Sequence, residues 1–139
     1  MKHMLIMRAT QQAVEAYENM DFEAVLNAMG AYNESMMKAG VMVGGEGLSP
    51  EPGYVVDFAG EAPIVSDGPY GEVHELFNGF WIIQTATAEE ALEWAKRAPL
   101  GPGSKLEVRR VQEEADFDEF EGNEYLEKEK EWRKELGTE

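Results

Sequence analysis

The chain has 139 residues, 43% of them hydrophobic, and a formal net charge of −16, which fits one folded domain. The negative charge argues against binding to nucleic acids or anionic membranes, because both need a cationic surface. Cysteine is absent, no apolar run approaches the ~20 residues that cross a bilayer, and the start lacks signal-peptide features, so we expect a cytoplasmic protein without disulfides.

The first third of the chain predicts a strand followed by a helix. Residues 1–7 form a strand pattern that is apolar on both faces, which is typical of a central strand covered on both sides. Asp21 is a suitable cap for a helix that runs to Ala39, and Gly40 follows where a left-handed residue is favoured. The residues that recur at helical spacing and predict its buried stripe are Val25, Met29, Tyr32 and Met36.

The middle of the chain predicts four strands. Segments 41–48 and 53–59 form a pattern of two paired strands around a Pro- and Gly-rich turn. A short strand at 63–65 and a strong strand at 80–85 follow. These segments lie between the helix at 21–39 and a second helix that opens at Thr87.

The last core elements are a helix and a strand. Thr87 and Glu90 form a capping box that opens the helix, which ends before Pro99, and residues 105–111 form the strand. The complete order is that of a ferredoxin-like α+β sandwich, an antiparallel sheet with helices on one face. The doubly apolar strands suggest that protein also covers the other face.

The C-terminal part differs from the rest in charge. Residues 113–139 contain 12 acidic and 4 basic residues, a net charge of −8, which equals that of all the preceding residues together. We predict one domain over 1–112 and an acidic C-terminal extension over 113–139 with a helix at 123–136. Tyr125, Trp132 and Leu136 give this helix an apolar edge that would dock on the core or on a partner subunit.

One stretch carries a family signature. Ser66-Asp67-Gly68-Pro69-Tyr70 places a carboxylate before a Gly-Pro turn and an aromatic residue, and Gly79-Phe80-Trp81-Ile82-Ile83 follows as an apolar strand. The stretch resembles the YCII-related proteins, in the subgroup named DGPF after its tetrapeptide, with Tyr70 in the Phe position. The segments 40–48, 92–95 and 106–111 resemble the subgroup in the same order. The resemblance implies a dimeric α+β barrel made by two face-to-face sheets.

Asp67 and His74 are the candidate catalytic residues. A carboxylate just ahead of a rigid turn is suited to accept or relay a proton, and His74 is the candidate proton shuttle, because an unperturbed imidazole titrates near neutrality. The alternatives are structural: an Asp before a turn caps local amides, and a lone His between acids is often a surface residue. Enzyme-like YCII proteins carry a His on the first helix, whereas the helix predicted at 21–39 has none, so whether the protein is an enzyme is left open.

The candidate ligand-binding residues lie near the same turn, and they are Glu46, Tyr70, Glu72 and Trp81. The glycines around Glu46 would admit a ligand, or they would only permit a β-bulge. Trp81 has the alternative of a core or interface anchor. His3 lies at the start of the first strand and has the alternative of projecting into the uncovered face of the sheet, but we expect it to face solvent, as a strand-start His usually does. Two histidines 71 positions apart predict no metal site, and no cofactor is expected.

Two functions of different classes remain. The first is a homodimer that binds a small organic molecule near Asp67, with acid–base chemistry of the lyase or isomerase type that the resemblance makes possible. The alternative is a non-enzymatic interaction or regulatory module, because DGPF domains can accompany bacterial sigma factors in transcription. A pocket that gathers Asp67, Glu46 and an imidazole would favour the first function, and an exposed Asp67 capping its own turn would favour the second.

Overall fold

The computed structural model describes residues 1–51, 53–68 and 75–138. It contains strands, α-helices and one 3₁₀ segment. In chain order these are β1 (Lys2–Thr10), α1 (Gln11–Glu18), α2 (Phe22–Lys38), β2 (Met42–Gly47), β3 (Tyr54–Asp57), β4 (Ile64–Asp67), β5 (Glu75–Gln84), α3 (Ala88–Lys96), β6 (Lys105–Arg110), the 3₁₀ segment (Glu114–Phe120) and α4 (Glu124–Leu136).

Four strands form an antiparallel sheet in the order β2-β5-β1-β6. Helix α2 connects β1 to β2, and α3 connects β5 to β6, so each helix joins strands that are not adjacent in the sheet. This is the ferredoxin-like arrangement, and the predicted α+β fold with an antiparallel sheet is confirmed. Strand β1 occupies a central position, as its two apolar faces predict.

One face of the sheet packs on α2 and α3. The buried cluster consists of Leu5, Tyr32, Met36, Val41, Trp81, Ile83, Ala91 and Trp94. The Tyr32 ring meets the Trp81 ring edge to face at 5.1 Å between centroids, and the Tyr32 hydroxyl donates a 2.8 Å hydrogen bond to the Trp94 carbonyl. One tyrosine therefore ties both helices to the sheet, which explains its place in the predicted stripe.

Strand pairing in the middle of the chain differs from the prediction. Segments 41–48 and 53–59 were expected to pair with each other, but β2 pairs with β5 and β3 pairs with β4. The β3–β4 ribbon is therefore an insertion between two neighbouring strands of the sheet. Alternation along a strand shows which side chains share a face but does not name the partner strand, so the sequence pattern could not separate these pairings.

The glycine run of β2 has a structural reason. The register of β2 against β5 shifts between Met42 and Gly44, which is a β-bulge. A Cβ on Gly45 would lie 2.8 Å from Trp81 Cδ1 and 2.9 Å from the Phe80 carbonyl oxygen. The close approach at Gly45 is thus made by strand β5 itself. This supports the bulge interpretation of the run around Glu46.

Polar contacts attach the C-terminal extension to the sheet. The Arg110 guanidinium donates to both carboxylate oxygens of Asp116, at 2.7 and 2.8 Å, and the Glu113 amide donates to the same carboxylate at 2.7 Å. The Lys2 amide donates to Glu113 Oε1 at 3.3 Å. The apolar edge of α4 is exposed, with Trp132 at 49%. The edge therefore does not dock on the core of its own chain.

The Arg110–Asp116 pair predicts a specific acid response. The hydrogen bond from Arg110, followed by the one from the Glu113 amide, lowers the pKa of Asp116 from 3.8 to about 2. The ionised carboxylate therefore favours the folded state above pH 3.8, and this contribution is lost as the pH falls towards 2. We expect the difference in melting temperature between wild type and Asp116→Asn to shrink between pH 5 and pH 2. An unchanged difference over that range would contradict this role.

Candidate functional site

Asp67 ends strand β4 at the base of the β3–β4 ribbon. It lies across from Tyr54, and the adjacent Gly68 amide donates a 2.7 Å hydrogen bond to the Gly53 carbonyl, which closes the base of the ribbon. Its side chain is exposed. Within residues 1–51, 53–68 and 75–138, no hydrogen bond or ion pair engages the Asp67 carboxylate. The carboxylate is therefore accessible to an external partner.

Three candidate residues follow Asp67 in the chain but lie outside the described residues. They are Tyr70, Glu72 and His74. The proximity of His74 to Asp67, on which the proposed proton relay depends, thus stays a prediction. The same holds for the turn that begins at Gly68.

Glu46 borders the sheet face that points away from α2 and α3, which we call the open face. Cross-strand partners in an antiparallel sheet share a face, and the register pairs Met4 with Ile82 and Ile6 with Phe80. Glu46 lies opposite Phe80 on the other side of β5 and is exposed. Phe77 joins Phe80 with ring centroids 6.3 Å apart. The open face is therefore apolar along its central strands β1 and β5, with a carboxylate at its β2 side and charged side chains at its β6 side.

Trp81 lies on the opposite side of the sheet from Glu46. It is 4% exposed, and its indole Nε1 donates a 2.8 Å hydrogen bond to Asn33 Oδ1 on α2. The structure thus does not bring Trp81 and Glu46 together, and the burial of Trp81 favours its alternative as a core anchor. Sequence reasoning missed Asn33, because a single amide on a helix gives no signal of a tertiary partner.

His3 is buried, so the prediction that it faces solvent is wrong. It is 5% exposed and lies between Ile83 of β5 and Arg110 of β6 in the sheet register. Among the described residues its Nδ1 atom has no hydrogen-bond partner. Burial, together with the positive charges of the N-terminal amine and Arg110, lowers the pKa of His3, although Glu113 acts in the opposite direction. The imidazole is therefore held in its neutral form.

The burial of His3 predicts a loss of stability at mildly acidic pH. The pKa of His3 in the folded chain lies below the ordinary 6.5. As the pH falls below 6.5, the unfolded chain therefore binds a proton at His3 before the folded chain does. Stability should be full above about pH 6.5 and should fall as the pH decreases below that value. We expect His3→Phe to reduce this dependence, measured by urea unfolding between pH 7.5 and pH 5. Parallel pH profiles for wild type and variant would contradict it.

A family model now places the chain among known proteins. The model for the YCII-related domain matches residues 1–115. The chain belongs to the YCII-related family. The match spans strands β1 to β6 and the helices α1 to α3, whereas α4 lies beyond it. A search of curated proteins finds no match. The DGPF subgroup stays a prediction from the signature at Asp67.

The described part of this YCII-related chain separates its candidate acid–base groups. Glu46 borders the open face, Asp67 lies on the ribbon, and His3 is on the side of the sheet that packs on the helices, so the described imidazole joins neither carboxylate. No cluster of three or more metal-ligating side chains occurs among these residues. No helix in the described ranges is long and apolar enough to span a membrane. Any chemistry at Asp67 therefore needs a partner group from residues 69–74 or from outside the chain.

One cleft of about 290 Å³ lies in the C-terminal extension, between the 3₁₀ segment and α4. Its walls include Phe117 and Leu126, and carboxylates such as those of Glu114 and Asp118 surround it. None of its lining residues belongs to the site predicted from the sequence. The cleft is thus separate from the candidate site around Asp67 and Glu46.

Proposed function

We propose that this YCII-related protein is a cytoplasmic homodimer that binds a small organic molecule between the open faces of its two subunits. The observation that carries the proposal is the apolar open face itself. A sheet in a two-layer fold is covered on its apolar sides, and α2 and α3 cover only one of them. On this face Phe77 is 47% exposed, Phe80 and Ile82 are partly exposed, and Ile6 is 8% exposed, and apolar surface that is left partly exposed marks interaction sites. The barrel implied by the family resemblance supplies the cover, namely a second copy of the same face.

The chemistry of the face favours a ligand with an apolar body and polar hydrogens. The Phe77 and Phe80 rings offer an aromatic contact surface, and the Glu46 carboxylate accepts hydrogen bonds at its border. Asp67, with His74 assisting and with Tyr70 and Glu72 near the same turn, would act as acid or base, whereas Glu46, which the described chain separates from Asp67, would only bind the ligand. The reaction would be of the lyase or isomerase type and would need no cofactor. Neither nucleic acid nor membrane is a partner in this proposal.

Ligand-observed NMR with phenol and catechol tests the binding proposal. Both probes combine a ring with hydroxyl donors, and saturation transfer detects millimolar binding. We expect transfer with wild type, and weaker transfer with Phe80→Ala and Glu46→Gln. Leu92→Ala on α3 serves as control, because Leu92 is 48% exposed on a helix that covers the other face. Absence of transfer with the wild-type dimer, or equal transfer with all variants, would reject the pocket.

The role of the Asp67 charge can be measured separately by denaturant titration of Asp67→Asn. Since the carboxylate is exposed and has no partner within the described ranges, we expect the free energy of unfolding to change by less than about 0.5 kcal/mol. The charge would then be available for binding or proton transfer. A loss of roughly 1–3 kcal/mol would mean instead that charge-assisted hydrogen bonds to the turn engage it.

The exposure of Asp67 also favours a second candidate, a non-enzymatic interaction or regulatory module. In that case the protein would act through protein contacts, in the transcriptional setting that the sigma-factor association of DGPF domains implies. The NMR experiment separates the two candidates, because a module of this kind has no pocket for phenol or catechol. Dimerisation through the open face is compatible with both.

A further inference from the structure

The β3–β4 ribbon presents an apolar face that its own chain leaves uncovered. In the register of the ribbon, Tyr54 lies opposite Asp67 and Val56 lies opposite Val65, so these four side chains share one face. Tyr54 is 79% exposed and Val65 is 63% exposed. A two-stranded ribbon of four residues per strand is at best marginally stable in water. A surface that covers this face would therefore stabilise the ribbon.

The negative charge around the ribbon indicates that a surface covering it would be basic. Residues 41–67 include five acidic residues and no Lys or Arg. On the open face strand β6 carries two basic residues and one acidic residue, namely Lys105, Arg109 and Glu107, whereas Arg110 lies on the other face and pairs with Asp116. Arg109 lies across from Met4, which places it on the open face, and its side chain is 71% exposed with Glu107 Oε1 at 3.9 Å. The β6 side of the open face thus complements the acidic ribbon in charge.

The position of the ribbon favours a partner subunit over its own chain. The ribbon is inserted between β2 and β5, on the side of the sheet that is farthest from β6. With neighbouring strands about 4.8 Å apart, β2 and β6 are separated by roughly 14 Å within one sheet. When two such sheets face each other about a two-fold axis parallel to the strands, β2 of one copy lies over β6 of the other. The ribbon of each copy then extends beside the basic strand of its partner.

We propose that the β3–β4 ribbon packs its Tyr54–Val56–Val65 face on a second copy of this chain, with Asp67 directed towards Arg109 at the partner's open face. The inference rests on the proposed homodimer and states which element of each subunit completes the other. The site then contains groups from both subunits, the Asp67 carboxylate of one and the Arg109 guanidinium of the other.

Cross-linking between introduced cysteines tests the contact between the ribbon and the partner subunit. Native thiols do not interfere, because the chain has no cysteine. Asp67→Cys and Arg109→Cys chains, one of them carrying a mass tag, are co-expressed, purified together and treated with a short bismaleimide. We expect a tagged–untagged cross-linked dimer. The control replaces Asp67→Cys with Ile64→Cys, which lies on the other ribbon face, and should give at least fivefold less product. Equal yields with both would overturn the ribbon contact.

A matched pair of substitutions gives a second readout. Val65 and Ile64 are adjacent, equally exposed at 63% and on opposite faces of the ribbon. Val65→Lys should raise the dimer dissociation constant at least tenfold, and Ile64→Lys should leave it within twofold. If the wild type is a dimer, but the cysteine variants do not cross-link and the two lysine variants have the same dissociation constant, the ribbon contact is overturned and the homodimer is kept. A monomeric wild type would overturn both.

Discussion

Introducing a carboxylate on the open face at Ile82 is expected to convert the protein into a folded monomer. Ile82 lies between Met4 of β1 and Gly44 of β2 in the sheet register, so a second sheet packed on this face would bury the new charge. Burying an unpaired carboxylate costs several kcal/mol of binding free energy, and most interfaces dissociate when they lose that much. We therefore expect Ile82→Glu to show the monomer mass by light scattering, with a helical circular dichroism spectrum that matches wild type.

The control for Ile82→Glu is Leu92→Glu. Leu92 lies on α3, on the other side of the sheet, and is half exposed, so its substitution should keep the dimer mass. If Ile82→Glu stays dimeric at the same concentration as wild type, the open face is not the interface. If Leu92→Glu dissociates instead, the helical side would be the interface.

Gly45→Ala is expected to lower the free energy of unfolding by about 1–3 kcal/mol, the usual cost of an extra methyl group in a packed site. Its Cβ would meet Trp81 Cδ1 at 2.8 Å and the Phe80 carbonyl oxygen at 2.9 Å, and the backbone oxygen cannot move without disturbing the ladder between β2 and β5. Denaturant titration measures the change.

The adjacent Gly44 provides a matched control, because a Cβ there would meet no atom within 4 Å. Gly44→Ala should be neutral or slightly stabilising, since it only restricts the unfolded chain. Equal losses for Gly44→Ala and Gly45→Ala would mean that the bulge, and not the contact with Trp81, requires glycine. If Gly45→Ala does not lower the free energy of unfolding, the alternative that the glycines around Glu46 admit a ligand would be favoured instead.

Local sequence patterns predicted the main helices of the fold, because each of these patterns is compatible with only one local structure. The stripe containing Tyr32 and Met36 predicts the buried side of α2, and the capping box at Thr87 predicts the start of α3. Both signals act within a few residues of the chain. The sequence patterns did not reveal helix α1, which has eight residues, none of them buried.

The features that sequence patterns did not reveal depend on contacts distant in the chain. The partner of β3 is set by the β3–β4 insertion and not by the alternation of either strand. The solvent-facing prediction for His3 rests on its position at the start of β1, and because β1 is apolar on both faces, its pattern does not say which face packs on the helices. Likewise, Glu46 and Trp81 were grouped as ligand residues, although opposite faces of the sheet carry them.

The measurement that tests the central proposal most directly is the molar mass of the wild-type protein in solution. Light scattering across a dilution series in the micromolar range gives this mass without a label or a ligand. The open-face homodimer predicts twice the chain mass of 15.6 kDa, with dissociation only on dilution. A single 15.6 kDa species throughout that range would contradict the face-to-face assembly, and with it the ligand site between the subunits.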